Sequence, residues 1–445
     1  MTTPLHFEKL RIPFPVFLGV IAGLTWLLGI AWLGYIARQT QFYHILAGYA
    51  IAFGAFGWLL SLDRNVISMR FLVILAVSGR LMLFGSVPLL SDDIYRFLWD
   101  GLRWLDGGNA YLGIPTNVIT LLAREPAYAK LYPLLNSPDY YTIYPPILQF
   151  LFIPAAQVWR STGSLIWSAG IIRLCFMGGD LLAWIGMKKL RIPDRRRLWY
   201  FLNPLVTVEI FGNLHAEGVM VGLLALATGW LLGAKTTGMS GMAFAGSVST
   251  KLTTAVFGPL LLLTLPPRKR QVWLVAALGI TLLVAWPILM AVWQGGFLES
   301  LDLYFRKFEF NAGLYYLIRQ IGWQIAGFNP IGYVGPALGI LGMATVLIIA
   351  TRSRKSNLKN AGEAMLWTLM AYLLTTTTLH PWYLITLVFL GVLTTRRFPI
   401  AWSFLVVLSY SHYLHGDFHE RFGWIALEYG LLLVAMIREY RGPKK

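Results

Sequence analysis

The chain has 445 residues, 57% of them hydrophobic and 13% charged, with a net charge of +17. A soluble domain carries roughly a quarter charged residues, so a mean hydropathy of +0.62 excludes a water-soluble enzyme, a disordered chain and a coiled-coil rod. One cysteine, Cys175, excludes an intramolecular disulfide, and in so apolar a chain the surplus of Lys and Arg marks cytoplasmic loops rather than nucleic-acid binding.

Spans are set by apolar runs of about 20 residues and oriented by basic clusters. Lys9 and Arg11 put the N-terminus inside, and 14–36 reads as a retained first span rather than a cleaved leader. The chain then runs inward over 42–62 and outward over 68–90. A polar stretch, 91–144, rich in Asp, Asn, Tyr and Pro, lies outside. The apolar run 145–160 is short and opens on Pro145-Pro146. Reading it as re-entrant or interfacial sends 165–187 inward. That delivers Lys188, Lys189, Arg191 and Arg195–Arg197 to the cytoplasm, in accord with the positive-inside rule.

Spans 197–213 and 216–233 flank an outer turn with His215 and Glu217. A shorter pair, 239–250 and 253–265, meets near Lys251, and 271–292 leads outward to a segment, 293–332, with an apolar helical piece at 312–327. Spans 333–350, 361–378, 382–395, 399–413 and 423–437 complete the chain. His380-Pro381-Trp382-Tyr383 then falls outside, and Arg438 and Arg441 fall inside. The expected fold is an all-α polytopic membrane protein with about 14 transmembrane helices. Its parts are an N-terminal hairpin at 1–67, a core at 68–290 with its outer loop at 91–160, and C-terminal helices at 291–445.

Asp92, Asp93, Asp100, Glu217, Asp302, Glu309 and Glu420 all fall at or near the outer face. Carboxylates do little to set topology, so this clustering points to function. Asp92 and Asp93 are adjacent where a span meets the outer loop. Partial burial and mutual repulsion there raise at least one pKa, which suits a general base acting on a hydroxyl. Ser91-Asp92 also reads as a helix N-cap. The two roles are compatible, since a cap holds a side chain in place. Inside the spans, Arg80 and Asp180 lie at similar depths, roughly 12–15 Å from the cytoplasmic ends at about 1.5 Å per residue. They are expected to form a buried pair.

The string Asp92-Asp93-Ile94-Tyr95-Arg96-Phe97-Leu98-Trp99-Asp100-Gly101 is followed by Gly107-Gly108-Asn109-Ala110-Tyr111 and Tyr141-Thr142-Ile143-Tyr144-Pro145-Pro146. Further on come Asn203-Pro204-Leu205, Glu209, Gly212-Asn213 and His215-Ala216-Glu217. Together these resemble the GT-C superfamily of integral-membrane glycosyltransferases, most of all bacterial mannosyltransferases that use polyprenyl-phosphate sugars. Phe308-Glu309-Phe310-Asn311 and His380-Pro381-Trp382-Tyr383 fit as well. The resemblance runs from about residue 68 to the end and leaves the first two spans as an added hairpin. Two departures stand out: Asn109-Ala110-Tyr111 replaces the usual Asn-Pro-Tyr, and His215-Ala216-Glu217 replaces the common His-x-Asp.

The resemblance implies transfer of a hexose, mannose in the nearest members, from a polyprenyl-phosphate donor to an extracytoplasmic hydroxyl, with inversion. The acceptor is a glycan, a glycolipid or a protein. The enzyme sits in the bacterial inner (plasma) membrane among its lipids, with both termini cytoplasmic and the active site periplasmic. The catalytic base falls on Asp93 or Asp92, with Asp93 preferred. Lys251, Arg319 and Arg173 are candidates for the donor phosphate. His215, Glu217, Tyr144, His380, Trp382 and Tyr383 are candidates for the sugar or carrier. His215 and Glu217 could bind sugar hydroxyls or a divalent metal, but one His and one Glu make a thin set for a metal; no metal ligands are assigned and no cofactor is expected, with a divalent metal kept as the alternative. The competing class is a transporter or flippase of a lipid-linked or anionic substrate, which would use the same cations as pathway residues.

Overall fold

The computed structural model describes residues 14–441 except 64–65, 232–235, 294–298, 300–307, 356–359, 415 and 417. Lys9, Arg11 and Asp302 lie outside the described residues, as does most of 294–307 within the outer segment. All regular structure among the described residues is helical. The one β-type contact there is an isolated bridge between Phe310 and Thr378.

Five described helices are long and apolar enough to cross a membrane: Pro15–Tyr35, Phe42–Ser61, Leu165–Lys189, Pro267–Trp293 and Ile331–Arg352. They suit a membrane protein. Several other expected spans are broken into shorter pieces. The run 197–213 consists of helix Asp194–Phe201, a four-residue turn Pro204–Thr207 and a π-helical turn Val208–Gly212. It then bends by 118° into Glu217–Leu231. The run 399–413 divides into Phe398–Leu405 and a 3-10 stretch Val406–Tyr413. Mean hydropathy registers neither kind of break, because a π-turn or an Asn-Pro start costs no apolar residues.

The first helices are α1 (Phe14–Tyr35), α2 (Phe42–Ser61), α3 (Met69–Met82) and α4 (Asp93–Leu105). In α4, Ile94, Phe97, Leu98, Trp99 and Leu102 are buried at helical spacing, as expected for an amphipathic helix seated on a core. Its seat is the apolar run after the outer loop, which is the helix Pro146–Thr162. Gly101 makes the close approach possible: a Cβ there would lie 2.6 Å from the carbonyl oxygen of Phe152.

The polar stretch after α4 returns to it through a buried polar network. Arg96 donates Nε to Asp100 at 2.9 Å and Nη1 to the carbonyls of Ser137 and Tyr140, both at 3.0 Å. Asp100 also accepts from Thr142 Oγ1 at 2.5 Å and Gln149 Nε2 at 2.9 Å. Arg96 and Asp100 of the opening motif therefore hold residues 137–149 against the helix that carries Asp93. Asn109 caps the Ala110–Leu112 turn by accepting from Tyr111 N at 2.9 Å, and its amide donates to the Pro287 carbonyl at 3.0 Å. The turn forms with Ala110 at the position where the sequence departs from the motif it resembles.

Leu165–Lys189 and Glu217–Leu231 cross in backbone contact. A Cβ on Gly222 would collide with the carbonyl of Gly179, and one on Gly179 would lie 2.7 Å from Val219 Cα. Small residues at such crossings are the usual way apolar helices pack closely in membranes. Beside them Arg80 of α3 pairs with Asp180 and donates to the carbonyls of Ala76 and Phe201 at 2.9 and 2.7 Å. The pairing expected from equal depth is formed.

Candidate active site

Asp92 occupies the N-cap position of α4, but its side chain makes no capping hydrogen bond. Ser91 Oγ accepts from Asp93 N instead, at 3.4 Å. Of the two expected cap candidates, Ser91 makes the side-chain contact and Asp92 holds the cap position alone. Its carboxyl is pushed up from the ordinary range, first by loss of surrounding water and then by the charge of Asp93. Asp93 is half-buried, and its Oδ2 lies 3.7 Å from Nε2 of His215.

His215 comes from the bend after the π-helical turn. π-turns inside helices are frequent at functional sites, and this one aims Glu209 and His215 at each other. Asn203 starts the segment by accepting from Val206 N at 3.3 Å and donating to Ser403 Oγ at 2.9 Å. Leu214 then takes a positive φ of 64°, a conformation that costs a side-chain-bearing residue about 1 kcal/mol or more. In return the chain turns sharply enough for His215 Nδ1 to reach Glu209 Oε2 at 2.9 Å. Glu209 is fully buried and also accepts from Tyr49 at 3.3 Å, Tyr410 at 2.9 Å and Asn213 at 3.1 Å. Neither Tyr49 nor Tyr410 stood out in the sequence. Glu209 did carry a signal, as a carboxylate inside an apolar run.

The ring of His215 stacks on Trp382 at 3.7 Å, and the far face of Trp382 stacks on His380 at 4.3 Å. Phe310 closes the column on His380 at 4.5 Å. Both faces of Trp382 are occupied, which leaves only its edge for a ligand. Burial pushes the His380 imidazole well below its usual range, and the charge of Lys251 acts in the same direction.

Lys251 sits at the junction of the helix Thr237–Thr250 and the 3-10 turn Leu252–Phe257, where the short pair of spans was expected to meet. It pairs with the buried carboxylate of Glu217. Its ammonium lies 5.2 Å from the centre of the Tyr383 ring and 5.9 Å from that of Trp382. Its side chain keeps 27% exposure while Glu217 keeps 1%, so the cation is the accessible half of the pair.

The other candidate cations have different partners. Arg173 gives Nε to the Phe211 carbonyl at 2.6 Å, Nη1 to the Ser86 carbonyl at 2.9 Å and Nη2 to Ser86 Oγ at 3.0 Å. It fastens three chain segments and has no fork to offer a phosphate. Arg319 pairs with both Glu309 and Glu420, so two carboxylates already match its charge. Tyr144 packs its ring edge-on to Phe97 and Phe152 at 4.9 and 5.7 Å, on the seat of α4 and not in the His215–Trp382 column. Among the described residues no group of three or more His, Cys, Asp or Glu could hold a metal ion.

An apolar helical bundle that gathers an acidic dyad, a buried histidine–glutamate pair and a partly exposed lysine from three distant stretches has the build of an integral-membrane group-transfer enzyme. Residues 17–267, more than half of the chain, match the family model of the alpha-(1->6)-mannopyranosyltransferase N-terminal domain, and the chain belongs to that family of GT-C type mannosyltransferases. The match includes the N-terminal hairpin. No curated protein matches the chain.

Proposed function

We propose that the protein transfers mannose from a polyprenyl-phosphate carrier to a hydroxyl on the extracytoplasmic side of the plasma membrane, with Asp93 as general base. The observation that carries this reading is the convergence of Asp93 and Lys251 on one structural unit. Asp93 lies 3.7 Å from His215, and Lys251 lies 5.9 Å from the Trp382 ring stacked on that histidine. A base for the acceptor and a cation for the leaving group are the two charges such a transfer requires.

In this reaction Asp93 removes the acceptor proton as the oxygen attacks the anomeric carbon. The bond from that carbon to the phosphate oxygen breaks, and polyprenyl phosphate departs with the electron pair. Lys251, held by Glu217, offsets the charge on the leaving phosphate. Its ammonium carries three donors, so two remain once Glu217 has taken one. Tyr383 and the edge of Trp382 line the place for the sugar or carrier, and Asp92 keeps the dyad oriented. The family's α-(1→6) linkage, reached with inversion, calls for a β-linked donor and a primary 6-hydroxyl on the acceptor. With Lys251 opposite a phosphomonoester, the chemistry is complete without a metal. The wider reading places about 14 spans around this site, with both termini cytoplasmic.

The test is transfer of radiolabel from polyprenyl-phosphate mannose to lipid and glycan fractions of a membrane extract by the purified protein. Wild type is active with or without chelator in this reading, and Asp93→Asn is inactive. Equal transfer by the two proteins ends the assignment of the base. Labelling of an engineered cysteine at residue 108 only from the cytoplasmic side ends the proposed orientation.

A further inference from the structure

Glu209 takes no part in the reaction as derived so far, yet it is the most heavily bonded carboxylate near the dyad. Oε1 accepts from Tyr49 and Tyr410, and Oε2 accepts from Asn213 and His215. A carboxylate only accepts hydrogen bonds, so His215 carries its proton on Nδ1 and turns the lone pair of Nε2 outward. That Nε2 is buried and has no hydrogen-bond partner. An unpartnered buried nitrogen is a cost the fold does not ordinarily retain. It lies 3.7 Å from Asp93 Oδ2, a small movement away from a hydrogen bond, and such bonds commonly tighten only when substrate is present. Trp382, stacked on the imidazole at 3.7 Å, keeps the ring from turning elsewhere.

We propose that Asp93, His215 and Glu209 form a proton relay, in which Glu209 is a positioning residue acting through His215. The relay rests on Asp93 being the base. As the acceptor O–H breaks, its proton passes to Asp93, the oxygen pair forms the bond to the anomeric carbon, and the bond from that carbon to phosphate breaks with its pair. Asp93 then passes the proton to the Nε2 lone pair, and the resulting imidazolium is stabilised at Nδ1 by Glu209. Asp93 thereby regains its negative charge before the product departs. His215 is 3% exposed and Asp93 24%, so the proton returns to water through Asp93 after product departs. The charged and titratable groups around the imidazole are Asp93 from α4 and Glu209 from the bend, with Lys251 and His380 around the Trp382 ring stacked on it; Asp92, beside Asp93, and Tyr413 lie within electrostatic range of the dyad. Tyr49 and Tyr410 back Glu209. Since Tyr49 belongs to α2, the hairpin at the start of the chain supplies part of the site.

The experiment measures initial rates with polyprenyl-phosphate mannose and a soluble α-mannoside bearing a free 6-hydroxyl, over about pH 5 to 9 to cover histidine titration. The proteins are wild type, Asp93→Asn, His215→Gln, Glu209→Gln and Tyr49→Phe, each checked for monodispersity in detergent. His215→Gln is expected to lower kcat about 100-fold with donor KM unchanged, and to remove one ionisation from the acid limb of the profile. Glu209→Gln and Tyr49→Phe are expected to shift the same limb with smaller losses. A wild-type kcat and pH profile for His215→Gln, with Asp93→Asn inactive, overturns the relay and leaves the base in place. A rise in donor KM with an unchanged profile also overturns it, since that is the behaviour of a sugar contact. An active Asp93→Asn overturns the underlying reading instead. If His215→Gln does not fold, Tyr49→Phe decides, because it removes a single hydroxyl behind Glu209. An unchanged limb in that variant overturns the relay.

Discussion

The hydroxyl of Tyr49 meets the carboxylate of Glu209 at 3.3 Å across 160 residues of chain. Trp26, on the other arm of the same hairpin, donates its indole N–H to the Leu202 carbonyl at 2.9 Å. The two N-terminal helices are therefore bonded to the start and the middle of the segment that delivers His215. Removing residues 1–67 is expected to abolish transfer even where the remaining chain can be recovered in detergent.

The dyad is predicted to be unequal. Asp93→Asn removes the group facing His215 and should lower kcat by at least about 100-fold, the range of general-base catalysis. Asp92→Asn should retain most of the activity. Asp92 is raised above its unfolded value, so it stabilises the fold only while protonated, and that stability is lost as pH rises through its folded pKa. The amide has no such dependence. Thermal unfolding of Asp92→Asn at pH 7 should occur at or above the wild-type temperature, and a clear drop would count against the repulsion described here.

Lys251 and Glu217 test one another. Lys251→Ala should raise donor KM and also destabilise the protein, since it strands a buried carboxylate at a cost of about 3–5 kcal/mol. Adding Glu217→Gln to Lys251→Ala should restore much of the thermal stability and none of the turnover. Recovery of turnover in the double variant would separate the lysine from the leaving group.

Arg80 and Asp180 predict the reverse pattern. Their pair is buried and neither member contacts the dyad in the hydrogen bonds and ion pairs described above, so Arg80→Ala alone should cost about 3–5 kcal/mol of stability. Protein that remains folded should transfer at the wild-type rate. A selective loss of kcat would give this pair a role in the reaction.

His380 makes the fold acid-sensitive. Its folded pKa is depressed, chiefly by burial. Above about pH 6.5, the ordinary histidine value, it is neutral in both states and the fold has its full stability. As pH falls below that value the unfolded chain takes up a proton that the folded chain refuses, and stability declines. Melting temperatures in detergent between about pH 7.5 and 5 should fall less steeply for His380→Asn than for wild type.

Much of this arrangement was legible from local pattern. A lysine within an apolar run marked the helix junction at 251, matching depths paired Arg80 with Asp180, and an acidic dyad at the end of an apolar run marked the start of α4. The partners of Glu209 were not legible, because residues 49, 209 and 410 meet only through packing. Nor were those of Arg173 and Arg319: a charge in apolar surroundings announces that it needs a partner without naming one. Arg173 proved to bind backbone carbonyls, which every residue carries and no motif records.

The contact between Gly179 and Gly222 reaches further than its size suggests. No side chain cushions the two backbones, so a methyl group added at residue 222 has nothing soft to compress and can only lever the rods apart. Five positions along the same rod stands Glu217, the anchor of Lys251. Gly222→Ala would therefore act as a wedge in the hydrocarbon interior whose displacement is read out as a misplaced cation, a reminder that tolerance to mutation in such an enzyme is governed by leverage as much as by proximity.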